Sequence, residues 1–252
     1  MKIRDLELFL LAFRLEELQQ SVRSLLVRLV TDEGMEGWGE SSINWRSAEL
    51  PARRNTLLAV LEDRNIFDIE ELHTLEGLST SAVRCAVEMA SWDLLGKKLR
   101  QPLFNLLGGI FRRRIPVTIR LPNGEPDMIG AIARVLAAQG FHNQVISSSS
   151  NAEEDLRVLA AVRENVGDRV QLRLDGQAQY SLEAARYLCA EMEFVDLEFF
   201  LDPINTRELY PLASLGRQTI VPLGVWRAIR SPSDMLAAVR CGAGKYLVVD
   251  PE

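Results

Sequence analysis

Hydrophobic and polar residues alternate along the first forty positions in the manner of β-strands. The alternation runs over residues 1–8 and 24–30, and the turn Thr31-Asp32-Glu33-Gly34 leads into a third alternating stretch, residues 35–40. A period of two places alternate side chains on opposite faces of a sheet. The pattern predicts an antiparallel meander of three strands.

The period changes over residues 47–106, where apolar residues recur at intervals of three and four. The clearest examples are residues 57–61 and residues 82–96, and the second helix is expected to end near Gly96 or soon after. A sheet followed by helices predicts an α+β domain over residues 1–112.

From residue 113 short apolar strands alternate with helical stretches. The predicted strands are residues 115–121, 143–148, 170–174, 195–201, 219–225 and 246–250, and the predicted helices are residues 128–139, 153–165, 182–192 and 232–241. The repeat has the size of a βα unit, and strands that are apolar on both faces indicate a parallel sheet covered by helices. A complete eight-stranded barrel needs about 250 residues, far more than remain. We therefore predict an α/β fold in which residues 113–252 form an incomplete (β/α) TIM-type barrel with about six parallel strands.

Composition excludes several classes of function. The net charge is -6, which argues against a nucleic-acid partner, and no apolar run is long enough to span a membrane. The cysteines, Cys85, Cys189 and Cys241, are widely spaced in apolar surroundings and lack metal-ligand spacing. Together with the absence of a convincing signal peptide, they predict a cytoplasmic protein.

Two long motifs resemble the capping-domain signature of the mandelate racemase/muconate lactonizing branch of the enolase superfamily. They are VRLVTDEGMEGWGE at residues 27–40 and AVEMASWDLLGKKLRQPLFNLLGG at residues 86–109. The resemblance covers essentially the whole chain and implies an α+β cap and a modified barrel with its active site at the strand C-termini. It also implies removal of a proton α to a carboxylate, an enediolate held on Mg²⁺ by three carboxylates, and a lysine or histidine base.

The residues at the three implied metal-ligand positions are Asp175, Leu201 and Arg227. Asp175 is retained, but leucine cannot coordinate a cation and arginine replaces an anion by a permanent cation. Asp202 follows Leu201, and because side chains alternate along a strand we expect it to point elsewhere. The alternative is that a bend at the strand end turns it toward the site. Arg227 could instead form a salt bridge with Asp175. Gln177 stands where the family often has asparagine.

The two implied lysine positions of the second barrel strand hold Val145 and Ser147, within GFHNQVISSSS. The serines from Ser147 to Ser150 could bind an anion ahead of the next helix. The alternative is a turn in which Ser150 or Asn151 caps that helix. Both interpretations remain open at this point.

Other titratable residues are not placed as catalytic groups. Asp250 resembles an aspartate that orients a catalytic histidine on a seventh strand in part of the family, but we count only six strands. His73 and His142 lie in the cap and at a helix end, and Lys97 and Lys98 are expected to be solvated far from the strand ends.

The leading hypothesis is therefore a C-terminally shortened family member without metal-assisted proton abstraction and without a cofactor, which serves as a scaffold or binds a small carboxylate. The open sheet edges predict a homo-oligomer. One alternative is an isomerase or dehydratase that acts on a carboxylate or sugar acid with a rebuilt site, and another is that the chain is a fragment of a longer protein. The candidate ligand-binding residues are Ser147, Ser148, Ser149, Asp175, Gln177, Asp202, Arg227 and Asp250.

Overall fold

The structure is a computed structural model that describes residues 1–15, 20–72, 74–78 and 81–250. His73 lies outside the described residues. The described chain divides into two compact units, residues 1–114 and residues 115–250.

The first unit contains the antiparallel meander that the alternation predicts. Its strands are β1 (Ile3–Leu15), β2 (Gln20–Thr31) and β3 (Glu36–Ser41), in the order β1-β2-β3. β1 and β2 are longer than predicted because they continue to pair with each other beyond the last β3 pair. The result is a two-stranded arm that extends past the three-stranded part of the sheet.

The α-helices that follow the sheet in the described part of this unit are α1 (Leu50–Leu61), α2 (Ile69–Leu72), α3 (Ser81–Leu99) and α4 (Leu103–Leu106). The buried face of β3 lies against α3 and carries Gly37 and Gly39. A Cβ atom on Gly39 would lie 1.9 Å from the carbonyl oxygen of Ala86, and one on Gly37 would lie 2.2 Å from that of Ala90. Glycine is needed at both positions because the backbones of strand and helix approach so closely.

Side chains of α3 also bind the outer edge of β3. The Trp38 amide donates to Asp93 Oδ2 at 2.9 Å, and Lys97 Nζ donates to the Glu36 carbonyl at 2.8 Å and to Asp93 Oδ2 at 2.7 Å. Lys98 pairs with Glu33. Both lysines are exposed, as expected, and each also has a partner in or beside the sheet.

The second unit is a parallel sheet whose strands follow one another in sequence order. The strands are β4 (Thr118–Arg120), β5 (Asn143–Ser147), β6 (Gln171–Asp175), β7 (Phe199–Leu201), β8 (Leu223–Val225) and β9 (Tyr246–Leu247). This arrangement confirms the predicted fold class of an α+β cap and six parallel strands of (β/α) type. Most strands are shorter than the apolar runs that predicted them. The first run begins at Ile115, for example, but β4 begins at Thr118, and Ile115 and Val117 are exposed.

The helices of this unit are α5 (Pro126–Ala138), α6 (Ala152–Val166), α7 (Leu182–Glu191), α8 (Leu209–Gly216) and α9 (Pro232–Cys241). Only α8 was missed, because it is short and contains Pro211. One face of the sheet packs on helices and forms the core with Ile146, Leu172, Leu174, Phe200 and Leu223. The other face carries the strand-end positions considered below. No helix in the described part of the chain is both long and apolar enough to cross a membrane.

The close contact between β3 and α3 predicts that Gly39→Ala destabilises the first unit. The new methyl group would overlap the Ala86 carbonyl, and overpacking of this kind costs about 1–3 kcal/mol. Urea unfolding followed by tryptophan fluorescence measures the loss. The control is Glu36→Ala on the opposite face of the same strand, where only a partly exposed ion pair with Arg28 is lost. An equal effect of the two substitutions would contradict the packing argument.

Candidate active site at the strand ends

Parallel register brings the implied functional positions into one row. Ser147 at the end of β5 pairs with Asp175 of β6, Asp175 pairs with Leu201 of β7, and Leu201 pairs with Gly224 of β8. Directly opposed residues of neighbouring strands share a sheet face. The C-terminal ends of four strands therefore meet around Asp175.

Arg227, two residues beyond β8, forms the ion pair with Asp175 that the sequence suggested. Its Nη1 atom lies 3.1 Å from Asp175 Oδ1 and 2.8 Å from Asp202 Oδ2. The side chains of Asp175 and Asp202 are 1% and 4% exposed, against 35% for Arg227. One guanidinium nitrogen thus bridges two buried carboxylates.

The expectation that Asp202 points away from this cluster is wrong. Strand alternation ends at Leu201, and Asp202 itself has a φ of 42°, which turns the chain. Its carboxylate accepts hydrogen bonds from the Trp226 amide at 2.9 Å and the Arg227 amide at 3.1 Å, in addition to the Arg227 side chain. The bend therefore turns Asp202 toward the loop after β8.

Arg120 was missed by the sequence reasoning. It ends β4, in register with Val145, and its side chain extends to Ser147 Oγ and to Asp175 Oδ2, the latter at 3.1 Å. A charged residue at the end of the first predicted barrel strand was the available signal. Parallel strand ends converge, so Arg120 could have been included among the candidates.

Asp175 is held by backbone as well as by arginine. The Gln177 amide donates to Asp175 Oδ1 at 3.0 Å, and Gln177 has a φ of 52° in the turn after β6. Its side chain lies beside Gln179 rather than on the carboxylate. Gln177 therefore contributes to this cluster mainly through its backbone.

The cluster is electrically balanced, with two guanidinium groups, Arg120 and Arg227, and two carboxylates. Burial lowers the pKa of Arg227, but hydrogen bonds and charge from Asp175 and then from Asp202 outweigh it, so that the pKa is raised above its ordinary value. Arg227 also lies over the Trp226 ring, with 4.6 Å between the guanidinium carbon and the ring centroid. The position therefore holds a fixed positive charge.

The serines after β5 are engaged by the protein itself. The Ser149 amide donates to Asp155 Oδ1 at 2.9 Å, and the Ser148 hydroxyl and Tyr180 Oη donate to Asp155 Oδ2. Burial, followed by the hydrogen bond to Asp155, raises the pKa of Tyr180 well above its ordinary value. An internal carboxylate thus takes the donors that an external anion would need.

The cap of α6 is Asn151, whose side chain accepts from the Glu153 amide at 3.1 Å and the Glu154 amide at 3.4 Å. Ser150 instead donates its hydroxyl to Gln179 Oε1. These contacts favour the turn-and-cap interpretation of the serine run over an anion site.

The remaining candidates lie away from this row. Asp250 is exposed, three residues beyond β9, and His142 is exposed just before β5. Among the residues that the structure describes, no group of three or more His, Cys, Asp or Glu side chains is arranged to hold a metal ion.

Two family models match most of the chain. Residues 15–108 match the mandelate racemase / muconate lactonizing enzyme N-terminal domain, and residues 127–252 match the enolase C-terminal domain-like model.

Among curated proteins, the N-succinyl-L-Arg/Lys racemase of Bacillus cereus is 26% identical over 234 residues, which cover 87% of this chain and 62% of the racemase. The hydrophobic dipeptide epimerase of Enterococcus faecalis is 27% identical over 236 residues, which cover 88% of this chain and 65% of the epimerase. The chain thus spans less than two thirds of the length of these relatives.

A solved structure shows the same fold. The dipeptide epimerase of Enterococcus faecalis V583, complexed with Mg and the dipeptide L-Leu-L-Tyr, matches with a TM-score of 0.90 and 24% identity. The match covers 100% of this chain and 75% of the epimerase.

The bridging position of Arg227 predicts strong coupling between Arg227 and Asp175. Arg227→Met would leave a buried carboxylate short of a partner and lower the free energy of unfolding by about 1–3 kcal/mol. Asp175→Asn in the same background should cost less than it does alone, because the partner charge is already gone. Urea unfolding of the two single variants and the double variant measures the coupling energy.

The matched control for this cycle is Arg230→Met. Arg230 is exposed, and its backbone amide donates to Asp234 Oδ2. Its replacement should change stability by no more than about 0.5 kcal/mol. A coupling energy near zero between positions 175 and 227 would show that the ion pair does not stabilise the fold.

Proposed function

The chain belongs to the mandelate racemase/muconate lactonizing enzyme family of the enolase superfamily, and we propose that this member binds a small carboxylate without the family's metal-assisted removal of an α-proton. The observation that carries the proposal is Arg227 Nη1, which lies 3.1 Å from Asp175 and 2.8 Å from Asp202. A guanidinium stands where the resemblance implies a metal ligand.

The donor set at the strand ends does not fit Mg²⁺. Such an ion requires near-octahedral oxygen ligands. Of the three implied positions, Leu201 offers no donor and Arg227 repels a cation, while both oxygens of Asp175 already accept from arginine nitrogens. Asp202 adds a carboxylate, but Arg227 and two amides bind it.

The positions implied for the base support the same proposal. Val145 has no titratable group, and the Ser147 hydroxyl accepts a hydrogen bond from Arg120. A serine hydroxyl in that contact, beside a cation, is a poor acceptor for a carbon-bound proton. Removal of an α-proton requires a base with a pKa tuned near neutrality.

A ligand carboxylate has suitable donors at this site. An arginine carries five N–H groups in a planar fork, and Arg227 binds Asp175 and Asp202 through Nη1. Arg120 is exposed and uses Nη1 and Nη2. The remaining N–H groups of the two arginines can bind carboxylate oxygens on either side of Asp175. Because Asp175 and Asp202 offset their charge, we expect modest affinity.

The alternative is an isomerase or dehydratase with a rebuilt site that uses Asp175, Gln177, Asp202 and Asp250. Its support is that Asp175 and Asp202 both come to the strand ends. Against it, both carboxylates converge on the cation Arg227, and Gln177 contributes to the cluster mainly through its backbone. We therefore favour the binding function.

Calorimetric titration of the protein with Mg²⁺ and with Mn²⁺ at neutral pH tests the metal part of the proposal. We expect no stoichiometric binding by the unchanged protein. Arg227→Glu should acquire binding, because it removes the cation and adds a third carboxylate beside Asp175 and Asp202. Arg230→Glu, with the same change of charge at an exposed position, should not. Stoichiometric binding to the unchanged protein that Asp175→Asn abolishes would overturn the proposal.

Titration with succinate in the presence of a chelator tests the carboxylate part. Arg227→Met and Arg120→Met should each weaken binding by at least about tenfold, since each removes a charge-assisted hydrogen-bond donor. Incubation with L-Leu-L-Tyr in D₂O, with Mg²⁺ added, tests the enzymatic alternative by NMR. Deuterium incorporation at an α-carbon would favour the enzyme over the binding protein.

A further inference from the structure

The two outer edges of the cap sheet differ in how they are closed. The sheet has the order β1-β2-β3, so β1 and β3 each present one backbone edge that no strand of this sheet covers. An exposed edge presents N–H and C=O groups to any extended chain that approaches it.

The β3 edge is closed by side chains of α3. Asp93 accepts the outward Trp38 amide and Lys97 donates to the outward Glu36 carbonyl, at 2.9 and 2.8 Å. Asp93 and Lys97 also pair with each other, one helical turn apart. A further strand could not bind there without displacing both.

Among the residues that the structure describes, the β1 edge has backbone partners outside the sheet only at its beginning. Ile3 exchanges backbone hydrogen bonds with Arg64 and Asp63, and Lys2 forms an isolated bridge with Asn65. Over residues 8–13, within the described chain, the backbone of β1 pairs with β2 alone. Six consecutive residues of a long strand therefore keep one edge without a backbone partner among the described residues.

The sequence along this edge is apolar and symmetric. Phe9, Leu11 and Phe13 alternate along the strand, lie on the sheet face opposite α3, and are 39%, 41% and 49% exposed. The order Phe-x-Leu-x-Phe reads the same in both directions about Leu11. A symmetric pattern of this kind complements an antiparallel copy of itself.

We propose that the β1 edge is a self-association surface, through which two copies of this chain pair their β1 strands antiparallel about Leu11. Leu11 then lies opposite Leu11 of the second copy, and each Phe9 lies opposite the other copy's Phe13. Residues directly opposite each other share a face, so the two Phe-Leu-Phe rows form one apolar stripe with aromatic cross-strand pairs. The two cap sheets join into one six-stranded sheet, which is an isologous contact.

Charge substitution at Leu11 gives the first test, because a two-fold axis places position 11 against itself. Sedimentation equilibrium of the full chain should show a dimer for the unchanged protein. Leu11→Lys and Leu11→Glu should each weaken association by at least about tenfold through like-charge contact. An equimolar mixture of the two variants should restore the dimer. Phe67→Lys, at an exposed apolar position of the same unit, is the matched control and should remain dimeric.

Disulfide trapping tests the register independently of affinity. In a Cys241→Ser background, which removes the exposed cysteine, Leu11→Cys should cross-link two copies under mild oxidation, because opposed Cβ atoms lie about 4.5–5.5 Å apart. Leu10→Cys should not, because pairing about Leu11 places position 10 opposite Ala12 of the second copy. Circular dichroism checks that each variant is folded.

Three results would overturn the proposal. The first is an unchanged protein that stays monomeric at high concentration. The second is a dimer that persists in Leu11→Lys, which would indicate association elsewhere, such as through the open edges of β4 and β9. The third is cross-linking through position 10 but not through position 11, which would assign another register.

Discussion

A carboxylate withdrawn from water needs a positive partner, and the strand ends of the parallel sheet are organised around that requirement. Asp175 and Asp202 are almost fully buried, and Arg227 lies between them. Burying a charge without a partner costs several kcal/mol, and the guanidinium offsets part of that cost for both aspartates. In the families that this chain resembles, the implied positive partner is a metal ion. Here Arg227 supplies the positive charge. Its ion pairs with Asp175 and Asp202 link the loop after β8 to the ends of β6 and β7.

An internal cation changes what the site can do. A metal ion polarises a bound carboxylate strongly and can keep coordination positions open for a substrate. A guanidinium instead binds by hydrogen bonds in a fixed plane and offers no coordination position. Arg120 adds a second guanidinium on the other oxygen of Asp175. These differences are the basis of the proposal that the site holds a carboxylate and does not stabilise the charge that develops when an α-proton is removed. Fold and chemistry are thus separable at this site.

Apolar periodicity predicted the strands and helices, and the resemblance to the family supplied the strand-end positions. The possible pairing of Arg227 with Asp175 followed because the resemblance places both at metal-ligand positions. The role of Asp202 could not be predicted in this way, since alternation applies only within a strand and a single left-handed residue ends it. Arg120 was overlooked although it is a charged residue at the end of a predicted strand, and its contacts with Ser147 and Asp175 form only when β4 lies beside β5. The contacts of Ser148 and Ser149 depend on Asp155 and Tyr180, which only the tertiary fold brings together.

The binding of Asp93 to the Trp38 amide has a consequence for how this molecule fluctuates. An outward-facing amide on an edge strand ordinarily exchanges its hydrogen with solvent quickly, because no strand protects it. Trp38 is an exception, because its amide donates to Asp93 of α3, the helix that packs against Gly37 and Gly39. Exchange at this one amide requires α3 to move away from β3, and not merely the sheet to fray. The isotope lifetime of the Trp38 amide therefore measures helix docking in the cap separately from the stability of the strands themselves.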